Sequence, residues 1–251
     1  MSILRTRCVE QGLVSTPDTR SVTVLEKIAR LPFTGFNDVR LLVDGEETFG
    51  AIFDAIDRAQ EYILVQFHIV RDDALGRELR DRLAARAREG VKVLFLYDEI
   101  GSNGLPEAYR KPLLDAGAEV AHFNSTRGPA NRFQLNFRNH RKNLVIDGRE
   151  AVIGGLNVGD EYMGRSSRFP DWRDTHTHVV GPVAQFAQVS FVEDWNRPRC
   201  AERTCGCSRR ACRTVPSCAR PHIPASLVAR MPGYGCCGTT GVRSEERRVG
   251  K

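Results

Sequence analysis

The segment from Arg138 to Asn157, RNHRKNLVIDGREAVIGGLN, holds the densest set of chemically useful groups in this 251-residue chain. His140 and Lys142 stand two apart. Asp147 follows, and Gly154, Gly155 and Asn157 close the set, giving H-x-K-x4-D-x6-G-G-x-N. If His140 opens a strand that runs to Ile146, alternation places His140 and Lys142 on one face. A neutral imidazole beside a fixed ammonium suits attack on a phosphodiester. The ring is a nucleophile near neutral pH, and the ammonium stabilises charge on the non-bridging oxygens. Glycines at 154 and 155 would let backbone approach a phosphate closely. Asn157, at an expected helix start, would turn its amide and the helix N-terminus toward an anion. Arg138 and Arg141 flank the histidine, as phosphate ligands or as exposed strand-end charges. A lone His-x-Lys is ordinarily a solvated strand end, and Asp147 alone is explained as a turn residue. The full spaced set is much harder to obtain by chance.

These groups need a scaffold, and the flanking sequence supplies one. Val39, Leu41 and Val43 mark a short strand ending at Asp44-Gly45. Phe49, Ile52, Phe53 and Ile56 fall at helical spacing, as do Leu75, Leu79 and Leu83 before Gly90. Tyr62 to Val70 and Val91 to Tyr97 read as buried strands. A weaker helix over Ala108 to Ala116 precedes a strand at Val120 to Phe123. The apolar runs on either side of Asp147-Gly148 predict a tight hairpin, because both residues tolerate positive φ. Thr175 to Val180 reads as a further strand and Gly181 to Trp195 as a helix. The alternation of strand and helix predicts an α/β fold with a largely parallel sheet. His68, inside a buried strand, reads as a packed core residue, as do Tyr62, Phe67 and Phe123. His176 and His178 share a strand face, but no third ligand is spaced to join them, so no metal site is expected.

Bulk properties divide the chain into three. Residues 1–31 are polar and mixed and read as a leader of low order. Residues 32–197 carry the periodic pattern. Residues 198–251 lose it and are dense in Arg, Cys, Pro and Gly. The chain has 37 Lys and Arg against 31 Asp and Glu, a formal +6. From Pro198 onward there are 11 basic and 3 acidic residues, so the remainder holds 26 and 28, a net −2. The basic excess is therefore a property of the tail, which argues against nucleic acid as the partner of the folded part. Seven of the eight cysteines also lie there. Their irregular spacing does not suit a structural zinc site. The tail reads instead as out-of-frame translation of GC-rich DNA, ending in an adapter-like Arg243 to Lys251. No apolar run approaches the roughly 20 residues that span a bilayer.

The spaced set is the signature of the phospholipase D superfamily, and the wider sequence resembles its bacterial cardiolipin synthases. The resemblance runs from about Leu31 to Trp195, through LPFTGFNDVRLLVDGEETFGAIFDAI, EYILVQFHIVRDDALGRELRDRL, VKVLFLYDEIGS, GGLNVGDEYMG and DWRDTHTHVVGPV. It implies an α-β-α sandwich forming one half of the usual two-half enzyme, with no cofactor. His140 would be the nucleophile that forms a phosphohistidine, or its acid partner. Lys142 and Asn157 would hold the phosphate, and Asp147 would be mainly structural. Asp174 would accept a hydrogen bond from the other ring nitrogen of His140. The implied activity is transfer of a phosphatidyl group between phosphatidylglycerol molecules at the surface of the bacterial cytoplasmic membrane. Such enzymes carry two motifs, and no second H-x-K occurs here. The partner implied is a carboxy-terminal half or a second copy of the chain. A single motif completed by homodimerisation would also fit a nuclease or phosphodiesterase, and an inactive truncated product is the non-enzyme reading.

Overall fold

A computed structural model describes residues 19–29, 31–103, 105–123, 139–167 and 170–202. In chain order the elements are α1 (Thr19–Ala29), β1 (Asp38–Val43), α2 (Asp44–Arg58), β2 (Tyr62–Phe67), α3 (Ala74–Arg88) and β3 (Lys92–Asp98). Then come α4 (Glu107–Asp115), β4 (Glu119–Phe123), β5 (Asn143–Ile146), β6 (Glu150–Gly154), a 3-10 turn (Asp160–Met163), β7 (Thr175–Val180) and α5 (Ala184–Glu202).

The strands form one seven-stranded sheet in the order β1-β7-β6-β5-β2-β3-β4. Only β2–β3 and β3–β4 pair in parallel; β1–β7, β7–β6, β6–β5 and β5–β2 are antiparallel. The expected largely parallel sheet is thus corrected to a mixed one. Strand–helix alternation, which enforces parallel crossovers, extends only from β2 to β4. Central β2 is buried along its whole length between β5 and β3. Helices cover both faces. One core layer joins Leu42, Val65, Phe95, Leu144 and Val152 to Phe49, Ile52 and Ile56 of α2 and to Leu75, Leu79 and Leu83 of α3. The other sets Leu64, Leu94, Val145, Ala151 and Val179 against Phe191, Val192 and Trp195 of α5. Fully burying a large apolar side chain contributes roughly 1.5–3 kcal/mol, so these two layers anchor the sheet from both sides.

The local chemistry explains the elements. Asp73 caps α3 by accepting from the Gly76 amide at 3.0 Å. Asp147 and Gly148 have φ of 51° and 66°, and Arg149 N–H donates to the Ile146 carbonyl, closing the tight hairpin expected there. Two expectations change. The leader read as poorly ordered contains α1, whose Glu26 carboxylate accepts from the Phe33 amide at 2.8 Å. The final helix continues past Trp195 through Pro198 to Glu202. The tail beyond 202 and the leader before 19 lie outside the described residues, as does Arg138.

Candidate active site

The site forms where the chain enters β5. Asn139, Arg141 and Asn143 alternate toward α5. Asn139 and Arg141 both meet the Asp194 carboxylate, and Asn143 donates to the Ala187 carbonyl at 2.9 Å. His140 and Lys142 precede the strand instead of opening it, since β5 starts at Asn143, and they alternate away from the α5 side. Lys142 is buried, and its Nζ donates to the carbonyl of His140 at 2.7 Å. Burial pushes its pKa below the ordinary lysine value, and the nearby Asp174 carboxylate opposes that shift.

His140 itself is exposed, and its ring stacks on His68 at 4.0 Å between centroids and 20° between planes. His68 is 5% exposed, with its Nδ1 3.9 Å from an oxygen of buried Asp98. Asp98 also accepts from the amides of Gly101 and Asn139, so it braces the segment carrying His140. His68 is thus a core residue that also forms the floor under His140. The sequence offered a signal for this: His68 and Asp98 lie at the carboxyl ends of parallel β2 and β3, where α/β sheets place their sites. Asp194 was also missed. It is buried on α5 and gathers Gln66 at 2.8 Å, Asn139 at 2.7 Å and Arg141. Arg141 is therefore paired on the α5 side of the sheet.

Gly154 and Gly155 serve packing directly. A Cβ on Gly154 would stand 2.3 Å from the His176 ring, and one on Gly155 2.3 Å from the Asp174 carboxylate. Their amides donate to the carbonyls of Lys142 and Thr175 within the sheet. Asn157 is not at a helix start. Its side-chain oxygen accepts from the Ile69 amide at 3.0 Å and its nitrogen donates to Tyr162 Oη at 3.2 Å. The helix expected there is only the turn Asp160–Met163, because Asn157 ties down the extension of β2 instead of capping. Asp147 accepts from the amides of Gln60, Glu61 and Tyr62 at 2.8–3.0 Å, at the end of β5 away from His140. The Asp174 carboxylate accepts from the Thr175 amide at 2.7 Å. Among the described residues the His140 ring makes no hydrogen bond to it.

His176, expected on the same face as His178, is 1% exposed, and among the described residues neither ring nitrogen has a partner. Its pKa is lowered to about 4, first by burial and then by Lys142, with Asp174 pulling the other way. His178 instead meets Glu150 at 2.7 Å. Among the described residues no three His, Cys, Asp or Glu converge as metal ligands, and no helix is long and apolar enough to cross a membrane.

An exposed histidine and a buried lysine thus lie close together at the edge of a mixed sheet sandwiched by helices. Residues 52–167 match the family described as cardiolipin synthase, PLD-like domain. Cardiolipin synthase A of Pseudomonas syringae pv. syringae (strain B728a) is 52% identical over 175 residues, 70% of this chain and 36% of that protein. The Pseudomonas entomophila (strain L48) enzyme is 49% identical over 189 residues, 74% of this chain and 40% of that one. The chain thus spans about two fifths of these relatives. Among solved structures, NucT from Helicobacter pylori is similar at 15% identity and a TM-score of 0.49, over 64% of this chain and 96% of that one.

Proposed function

We propose that this chain supplies one catalytic half of a phosphatidyltransferase of the cardiolipin synthase type. The observation that carries the reading is the His140–Lys142 pair, an exposed imidazole and a buried ammonium held on the segment that leads into β5. In the first step an unprotonated nitrogen of His140 attacks the phosphorus of phosphatidylglycerol. The P–O bond to the glycerol headgroup breaks, a P–N bond forms, and the departing alkoxide takes a proton from a general acid. In the second step the headgroup hydroxyl of another phosphatidylglycerol gives its proton to the group that served as acid and attacks phosphorus, the P–N bond breaks, and His140 is restored. Lys142 neutralises the non-bridging oxygens throughout. His68 and Asp98 hold the imidazole and its backbone, and Gly154 and Gly155 make room for His176 and Asp174. Asp174 acts here through its field on Lys142. A second motif, from a carboxy-terminal half or a second copy, supplies the acid, since one histidine cannot attack as base and protonate the leaving group in the same step. The reaction takes place on anionic phospholipid at the bacterial cytoplasmic membrane surface, with no metal.

The test exchanges residues 31–195 of this chain for the matching segment of the Pseudomonas syringae enzyme and measures cardiolipin formed from phosphatidylglycerol vesicles. The expected result is turnover that survives chelator and is abolished by His140→Ala. The isolated monomer should form none, because general acid catalysis contributes typically 10²–10⁴-fold. Turnover retained in His140→Ala, or robust synthesis by a strict monomer, would overturn the assignment.

A further inference from the structure

His176 is the least explained group near the site. It is a polar ring, almost wholly buried, with neither nitrogen partnered among the described residues. Leaving such a group unsatisfied costs on the order of 1–3 kcal/mol, which calls for a reason. Its position supplies one. His176 pairs across the sheet with Gly154, and the Gly154 amide donates to the Lys142 carbonyl, so Lys142, Gly154 and His176 lie in one row on one face. Strands are roughly 4.8 Å apart, so the outer two residues are next-but-one neighbours. Gly154 lacks the side chain that would separate them, and the His176 ring occupies that space.

Lys142 has the complementary deficit. An ammonium has three donors, and the resting contact with the His140 carbonyl uses one. We propose that His176 is a positioning residue for Lys142. Its neutral ring accepts a second N–H of the ammonium when an oxyanion binds, which aims the third at a phosphoryl oxygen. The other charged groups nearby fit this role. Asp174 draws on the ammonium from the start of β7, while His178, next along the same face, is paired with Glu150, which is also held by Arg58. Burial and the ammonium keep His176 unprotonated, so an acceptor nitrogen is present at every pH where the domain would work.

This assignment rests on Lys142 being the phosphate-holding lysine, and the experiment separates the two. The 251-residue chain, labelled with ¹⁵N-histidine, is titrated with sodium tungstate as a phosphate-like oxyanion. The expected result is perturbation of His140, together with an upfield shift of one His176 ring nitrogen as it becomes a hydrogen-bond acceptor. His176→Phe, which keeps a ring but no acceptor, should weaken tungstate binding about tenfold. His176→Gln, which keeps an acceptor but no ring, should recover most of that loss. A packing role predicts the reverse order. Tungstate that perturbs His140 but leaves His176 unmoved in the wild-type chain overturns the positioning role alone. Absence of any binding at His140 overturns the phosphate-site reading with it.

Discussion

Replacing Asp147 by alanine removes the acceptor of three backbone amides at once, together with a residue suited to its backbone conformation. The amides of Gln60 and Glu61 lie at the surface, where water takes over, so each lost bond costs about 0.5–1 kcal/mol. The Tyr62 amide is partly buried, and its loss costs about 1–2 kcal/mol. Asp147 has φ of 51°, and alanine in the left-handed region costs about 1–2 kcal/mol more. The combined loss is about 4 kcal/mol, or a drop in Tm of about 10 °C for a domain this size. Asp147→Asn tolerates the same backbone and keeps one acceptor, so it should lose about half as much. Asp147 also lies five residues along the chain from Lys142, roughly 16 Å in extended conformation, so the site should not feel the change while the domain is folded. Urea unfolding followed by the fluorescence of Trp172 and Trp195 gives the stability, and the His140 ring resonances report on the site. An alanine variant within 1 kcal/mol of wild type, or altered His140 titration in a folded variant, would refute a structural role for this carboxylate.

Gly155→Ala should destabilise the domain by about 1–3 kcal/mol, because the new methyl overlaps the Asp174 carboxylate. In an Asp174→Ala background the same change should cost less than 1 kcal/mol, and equal costs in a double-mutant cycle would show that the clash is elsewhere. His176 should make the domain acid-sensitive. Its folded pKa of about 4 lies below the ordinary 6.5, so from pH 6.5 down to 4 the unfolded chain takes up a proton that the folded one refuses. The stability this contributes is complete above pH 6.5 and falls by about 3 kcal/mol across that window. Subtracting the pH profile of His176→Phe from that of wild type measures it, and a flat difference would mean the imidazole is already charged when folded.

The parts of this molecule legible in sequence are those decided locally. The Asp147-Gly148 turn is demanded by two positive φ angles and α3 by its leucine spacing, whereas the strand expected from His140 begins only at Asn143. What escaped reading depends on partners distant in sequence. No local pattern says that β5 lies antiparallel to β2, and so none brings His68 under His140 or Asp194 under Asn139. Asn157 shows the same limit from the other side. It is a good helix-capping type, but its amide is held by Ile69, 88 residues earlier. The glycines were read as space for a ligand when the space belongs to His176 and Asp174, because both fillers arrive on a strand the motif does not include.

The pairing of the first strand with the last also sets a timetable for synthesis. β5 and β6 form a local hairpin and can join Lys142 to Gly154 early. His176 reaches that row only when β7 docks, and β1 has nothing to pair with before then. The contact between Asp44 and Asp174 closes a separation of 130 residues. At roughly 5–20 residues per second, a ribosome leaves β1 without its neighbour for on the order of ten seconds. Val39, Leu41 and Val43 stay exposed even in the finished sheet, where β1 is an edge strand, the kind of surface that recruits other chains. Until β7 docks both edges of β1 are open, so a holdase that binds extended apolar segments would act on β1 first.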